Sequence, residues 1–495
     1  MPETARAALL FVLAALLLRA PALLFVELNW DEALYWQVAG ELTDGHLPYT
    51  ATWDRKPPGL FALLAPFHWA GDGGLWALRL GTALLVAATA LGLRAVARRL
   101  LPGMPEAGTL AGLGYVALSM RGVGDGTNGE LLLAPFAVGG IALALAAAAT
   151  GRAAWALAAG VLAGAALLVK QVALAEAAVA GLVLLLARPR LLPAFALGGA
   201  LPVALAVGAY AAAGQLGLLL GALGAAGEAG GEGLNLGGMV LGLRGWAVAI
   251  LAALLGAAAL AWRGERAAAL LLGAWLAAVA AMLLLLGRFA DHMMLQLAPP
   301  LALGCAALAA LAVRALPRRA ALVHAAALLA LLGWSLHAPV RAAGEVLWRR
   351  HVDGIAHWGD RTATIAALLR PRLQGAHDLL VASRLLGLHR ETGTRPATRF
   401  PFVPHLWSGY APVDGAAEMA RLLAARPGFV VVDDLWLPGR AHAGAQGEVL
   451  ARLHAALAES YVAEARVGRF ASRGGGFIGG GVGATIFRRA DLPPL

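Results

Sequence analysis

Long apolar runs recur through the first two thirds of the chain, and nothing else in the sequence constrains its fold as strongly. A helix of ~20 residues, rising ~1.5 Å per residue, crosses the ~30 Å hydrocarbon core of a bilayer. Candidate spans lie at 7–26, 74–97, 106–120, 130–149, 152–169, 172–187, 191–213, 241–262, 267–286, 293–313 and 320–339. The expected fold is therefore mainly α, a polytopic membrane protein with about eleven spans. Composition agrees: 60% of the 495 residues are hydrophobic and 14% are charged, against ~25% charged in ordinary soluble domains. Residues 59–69 are apolar but too short to cross, and are read as a helix at the interface. No small-residue cleavage site follows the first run, which is read as a retained helix.

The loops between these runs alternate in character. One set carries Arg98 and Arg99, Arg152, Arg188 and Arg190, Arg263 and Arg266, and Arg314, Arg318 and Arg319. The other holds 27–58, Arg121–Asn128, 214–240 and Gly287–His292. The positive-inside bias makes the first set cytoplasmic and puts the second on the opposite face. It also accounts for much of the net charge of +10. A nucleic-acid partner is excluded, since no basic run is interleaved with aromatics. The single Cys305 sits in an apolar run and rules out a disulfide framework or a Cys-based zinc site. The 214–240 loop, with Glu228, Glu232 and Asn235, reads either as a mobile gate or as a flexible connector.

From about Arg341 charged residues and His become frequent and no run is long enough to span. The expected division is a membrane domain over 1–340 and a small extracytoplasmic α/β domain over 341–495. Within it, Asp378–Ser383, Phe429–Asp433, Tyr461–Val467 and Ala484–Phe487 read as strands, and Gly415–Ala425 and Gly447–Glu459 as amphipathic helices. The Gly474–Gly483 run leads into a strand rather than a helix, so it is a loose turn and not a dinucleotide fingerprint. The pair Asp433–Asp434 ends an apolar strand, where it either binds a ligand or opens an exposed loop.

The polar stretch Asn29–Gly59 lies between two apolar regions and carries five acidic residues, three Trp, two Tyr and one of the two lysines of the chain. Asp31 and Glu32 open a helix expected over 31–42. Negative charge near a helix N-terminus has an ordinary explanation, worth ~0.3–1 kcal/mol. Flanked by Trp30, Tyr35 and Trp36 at a membrane interface, the pair also suits an acid–base role, in which partial desolvation raises the pKa of a carboxylate that accepts a proton from an acceptor hydroxyl. In Asp54-Arg55-Lys56-Pro57-Pro58-Gly59 the prolines fix the backbone and exclude a helix interior. Lys56 either snorkels toward headgroups or supplies a cation to a lipid phosphate. Lys170 stands at the outer end of a span, where the positive-inside bias disfavours it. Arg288 and His292 form a third outer cluster. Arg79 near the outer end of a span, with Asn128 and Glu130 at the start of another, completes the set. A metal site is not supported, because His46, His68 and His292 are scattered with no ligand pair beside a carboxylate; no cofactor is expected. Carboxylates and cations on one membrane face suit group transfer from a phosphate-linked lipid, where cations offset charge on the leaving phosphate. Displacement by the acceptor would invert the anomeric centre.

The motifs N-W-D-E-A-L-Y at 29–35, P-Y at 48–49 and D-R-K-P-P-G at 54–59 resemble the first outer loop of the GT-C glycosyltransferases of family 39. That group includes protein O-mannosyltransferases and lipid A aminoarabinose transferases. Arg79-Leu80, the Gly-rich 160–170 segment ending in Lys170, and Arg288–Pro299 are similar to further family features. The resemblance implies an inner-membrane enzyme that moves a sugar from a polyprenyl-phosphate donor to an unknown acceptor. It implies a catalytic pair, Asp31 and Glu32, with Asp31 as base or acceptor-orienting residue, and a donor phosphate held by Lys56. The outer clusters add Arg288, His292 and Lys170 as expected phosphate ligands, and Tyr49, Asp54, Arg79 and Glu130 as expected substrate contacts. The sequence departs from the pattern at Arg55, where some members carry an acidic residue, and at Met293, where relatives carry Tyr. A transporter or lipid flippase is the alternative, although no inverted repeat is visible. A non-catalytic scaffold for envelope assembly is a third reading.

Overall fold

The structure is a computed structural model that describes residues 2–26, 29–228, 236–287, 289–315, 322, 340–341, 343–409, 411–468 and 483–494. The helices of the first 315 residues are α1 Glu3–Arg19, α2 Trp30–Thr43, α3 Pro58–Leu64, α4 Gly74–Leu100, α5 Pro105–Leu118, α6 Gly129–Thr150 and α7 Ala153–Val169. They continue with α8 Leu174–Ala187, α9 Leu192–Ala212, α10 Leu216–Glu228, α11 Leu236–Arg244, α12 Ala247–Trp262, α13 Arg266–Leu286 and α14 Ala298–Ala315. Among the described residues six helices are long and apolar enough to cross a membrane. A seventh span arises if the segments Gly237–Arg244 and Ala247–Trp262, bent by 76°, count as one. The apolar helices Ala153–Val169 and Gln171–Ala187 are shorter, as is α5, and the expected span at 320–339 falls almost wholly outside the described residues. The fold is that of a polytopic helical membrane protein with a small sheet.

Small residues set the closest helix crossings. A Cβ on Gly160 would lie 2.0 Å from the Phe195 carbonyl oxygen, and one on Gly164 2.2 Å from that of Gly199. The backbones of α7 and α9 therefore touch, as small residues four apart allow in lipid. One large core joins α1, α4, α5, α6, α8 and α12–α14. A second gathers α2, α3 and the first loop against α7.

One correction concerns a loop. The 214–240 segment is not a plain loop, since α10 and α11 flank a short gap; Glu232 and Asn235 lie outside the described residues. Its glycines suggested a flexible connector, but its leucines recur often enough to form helices. The Gly474–Gly483 turn also lies outside them, apart from Gly483.

The strands are β1 Leu379–Ala382, β2 Phe429–Asp433, β3 Tyr461–Val467 and β4 Ala484–Arg489. Their order is β1-β2-β4-β3, with β1 and β2 parallel and the other pairs antiparallel. Period-2 alternation sends Leu380, Ala382, Val430 and Val432 to one face, with the helices Gly415–Ala424 and Gly444–Ser460. Leu379, Val381, Phe429 and Val431 meet the helix Arg361–Leu369 on the other. Both faces are covered, which is why β2 reads as the continuous apolar run F-V-V-V. Asp433 and Asp434 are buried and tied to Arg384 and Arg466, so the pair does not open an exposed loop.

Candidate active site

The geometry begins with a helix cap. The Asn29 side chain accepts from the Glu32 amide at 2.8 Å, satisfying an otherwise orphaned donor and fixing where α2 starts. Adjacent residues on a helix point ~100° apart, so Asp31 and Glu32 face different surroundings.

Glu32 turns inward. Its two oxygens accept from Arg79 Nε at 3.2 Å and Nη2 at 2.6 Å, and the Thr127 amide adds a bond of 3.1 Å. Arg79 also donates to the carbonyls of Ala22 at 2.8 Å and Phe25 at 2.5 Å. Burial pushes the Glu32 carboxyl up, but Arg79 and the Thr127 amide outweigh it and hold it below the usual range. Glu32 and Arg79, expected as a catalytic and a substrate-binding residue, are both enclosed and bond to one another and to the chain.

Asp31 faces the first loop. Its Oδ1 lies 4.0 Å from Lys56 Nζ and its Oδ2 3.9 Å from His292 Nε2. Lys56 Nζ is also 3.5 Å from Asp54 Oδ1 and 5.2 Å above the Tyr35 ring. Burial pushes the Asp31 carboxyl up, yet the charges of Lys56, His292, Lys170 and Arg55 prevail, and it titrates below the usual range. Asp31 is thus an ionised carboxylate at neutral pH, held by contacts longer than direct hydrogen bonds.

The loop is built to place Lys56. Pro58 opens α3 at a position where its missing N–H costs nothing. The Glu41 carboxylate gathers the amides of Thr50, Ala51 and Thr52 at 2.5–3.1 Å. Tyr49 adopts a left-handed φ of 74°; its ring is fully buried against Phe61 and Tyr210, and its hydroxyl donates to the Lys56 carbonyl at 2.5 Å. Tyr49, expected as a substrate contact, is placed beneath the Lys56 turn and bonds to it. Asp54 is wholly buried, and its Oδ2 has no hydrogen-bond partner among the described residues.

Lys170 and Glu130 meet in a buried ion pair. Gly59 explains their nearness to the loop, because a Cβ there would stand 2.7 Å from the Leu168 carbonyl oxygen; only glycine lets α3 reach the end of α7. Glu130 Oε2 has no partner among the described residues. Arg288 lies outside the described residues, so that expectation has no structural counterpart here. The structure therefore brings together Asp31, Lys56, Asp54, His292, Lys170 and Glu130, and separates off Glu32, Arg79 and Tyr49. Among the described residues no three His, Cys, Asp or Glu side chains stand together as metal ligands.

One residue of this site, and one buried carboxyl beside the enclosed Glu32 and Arg19, were missed from sequence. Tyr35 lies one turn beyond Asp31 on the same helix face, a spacing that marks it. Asp125, hidden among glycines, is fully buried, and burial pushes its carboxyl up to about 7; nothing local signals it.

The C-terminal region sits directly on the first loop. The Trp53 amide donates to the Arg399 carbonyl at 2.7 Å, and Arg399 Nη2 to the Tyr49 carbonyl at 2.6 Å. Trp53 is itself part of the core beneath the sheet. Trp30 stacks on Phe402 with ring centroids 6.3 Å apart, and Arg384 stands 5.5 Å over the Trp30 ring.

No family model matches the chain, and no curated protein matches it. Among solved structures it is similar to ArnT from Cupriavidus metallidurans, at 16% identity and a TM-score of 0.58, covering 97% of both chains. It is also similar to the oligosaccharyltransferase AglB of Archaeoglobus fulgidus, at 11% identity and a TM-score of 0.51, covering 87% of this chain and 69% of that one. The AglB structure holds an inhibitory peptide and a dolichol-phosphate. A second structure of the Archaeoglobus enzyme, in the apo form, matches at 12% identity with a TM-score of 0.52. From the helices of the membrane region to the sheet above them, the chain has the GT-C fold.

Proposed function

We propose that the chain transfers a sugar from a polyprenyl-phosphate donor to an acceptor hydroxyl or amine, inverting the anomeric carbon. The observation that supports this reading is the loose contact of an ionised Asp31 with Lys56 and His292, at 4.0 and 3.9 Å. Each group keeps bonding capacity for a ligand. Asp31 takes the proton of the acceptor as its oxygen or nitrogen bonds to the anomeric carbon. The bond from that carbon to the phosphate oxygen breaks, and the electron pair leaves with the lipid phosphate. Lys56 offsets the charge that develops there, with His292 and the Lys170–Glu130 pair beside it. The dolichol-phosphate held by AglB, a protein of the same fold, supports a lipid phosphate as ligand. On this reading the protein lies in the plasma membrane, with residues 1–340 as its membrane domain. Residues 341–495 form a domain on the outer side, above the first loop.

The test is transfer by purified protein from radiolabelled polyprenyl-phosphate pentoses and hexoses to delipidated envelope acceptors. Asp31→Asn is expected to lower the rate by ~10²–10⁴-fold, the range for loss of a general base, with the protein still folded. A rate equal to wild type would remove Asp31 from the chemistry.

A further inference from the structure

The segment Phe400–Trp407 of the C-terminal region lies over the first loop, and its short helix Val403–Leu406 carries His405. The imidazole is clamped edge-on by two rings, Trp53 at 4.9 Å and Phe402 at 5.0 Å between centroids. Trp53 belongs to the first loop, one residue before Asp54 and three before Lys56. His405 therefore stands where the C-terminal region meets the candidate site.

Two features set it apart from a histidine that merely fills a core. It is 7% exposed, yet its buried Nδ1 has no hydrogen-bond partner among the described residues. The other buried histidine of this region, His389, engages Thr394 Oγ1 through its Nδ1 at 2.9 Å. Buried polar atoms are nearly always paired, and a phenylalanine would fill the same slot without the unmet nitrogen. Through its contact with Trp53, His405 adjoins the stretch that carries Arg55 and Lys56, and their charges and that of Asp31 act on it. Burial, reinforced by Lys56 and Arg55 against Asp31, keeps the ring neutral, so it offers one N–H and one lone pair. That combination suits a hydroxyl group, which both donates and accepts; a phosphate would favour a cation.

We infer that His405 is a substrate-binding residue that the C-terminal region contributes to the site, where it receives a hydroxyl of the transferred sugar or of the acceptor. The inference rests on the transferase reading above and extends it: the region over the loop takes part in substrate recognition.

The experiment compares wild type, His405→Phe, His405→Leu and His405→Asn as purified full chains. It measures kcat and the two KM values, together with binding of decaprenyl phosphate, which carries neither sugar nor acceptor. His405→Phe should raise one KM about tenfold, the weight of one hydrogen bond. The donor KM moves if the hydroxyl is on the sugar, and the acceptor KM if it is on the acceptor. His405→Asn, which keeps a donor and an acceptor, should restore much of the loss. Decaprenyl phosphate binding and the melting temperature should stay at wild-type values. If His405→Phe does not fold, His405→Leu replaces it in the comparison. Both KM values within twofold of wild type would overturn the inference, as would a fall in melting temperature and kcat that Asn does not relieve. If wild type makes no product from any polyprenyl-phosphate sugar, the transferase reading itself has failed, and that outcome is visible before any variant is compared.

Discussion

Glu32 gives both oxygens to Arg79 and the Thr127 amide in a sealed interior, whereas Asp31, one residue earlier, reaches Lys56 and His292 only at 4.0 and 3.9 Å. The two regions hold the same kinds of charge. In the first, each group finds its partners within the protein, and the result is a joint between α1, α2 and α4. In the second, spacing and fixed backbone keep the charges from collapsing onto one another, and donors and acceptors remain for something else. An ion pair of good geometry is thus evidence about folding, and a loose one beside a rigid turn is the better guide to chemistry.

The contrast can be broken experimentally. The largest effect is expected at the sealed pair. Glu32→Ala leaves Arg79 charged and buried, and should cost ~3–5 kcal/mol of stability, read from thermal unfolding in detergent. A loss below ~1 kcal/mol would mean that Arg79 finds another partner and that the joint is not what holds these helices. Asp125 gives the next effect. Its folded pKa of about 7 lies above the ~3.9 of an unfolded Asp, so the native state binds the extra proton. Stability from this group is full below the unfolded value and falls as pH rises towards 7. Asp125→Asn should therefore stabilise more at pH 8 than at pH 5, by on the order of 2 kcal/mol. An equal gain at both pH values would show that Asp125 ionises normally. The smallest effect concerns the open group. Lys56 is the leading charge that holds Asp31 low against burial. In Lys56→Met the acid limb of residual transfer against pH should move upward, towards neutrality. An unmoved limb would mean that Lys56 does not tune Asp31.

Much of the architecture was legible because burial leaves a period in the sequence. The apolar runs mark the long helices, and the four strands of the sheet fall within a residue or two of where alternation and β-branched runs put them. The stretch 29–59 stood out as a candidate because polar residues between spans need a reason. Direction was not legible: nothing in N-W-D-E tells which carboxylate turns inward, since that depends on Arg79, 47 positions away. A cation inside a span reads as functional until its partners are seen. The burial of Tyr49 was hidden for a related reason, because a tyrosine in a polar loop looks available until Phe61 and Tyr210 close over it. His405 is the one polar residue of the apolar segment F-P-F-V-P-H-L-W, and only the docking of Arg399 onto Trp53 and Tyr49 brings it to the loop.

That docking has a consequence for how the protein comes into being. Arg399 and Tyr49, joined by a hydrogen bond, are 350 residues apart in the chain. At a synthesis rate of ~5–20 residues per second, the later residue follows the earlier by roughly 20–70 s. Throughout that interval the growing polypeptide presents Trp30 and Trp53 without the cover that Phe400–Trp407 provides. The order of translation thus makes roofing of the site a late event, reached only after the membrane helices have been threaded.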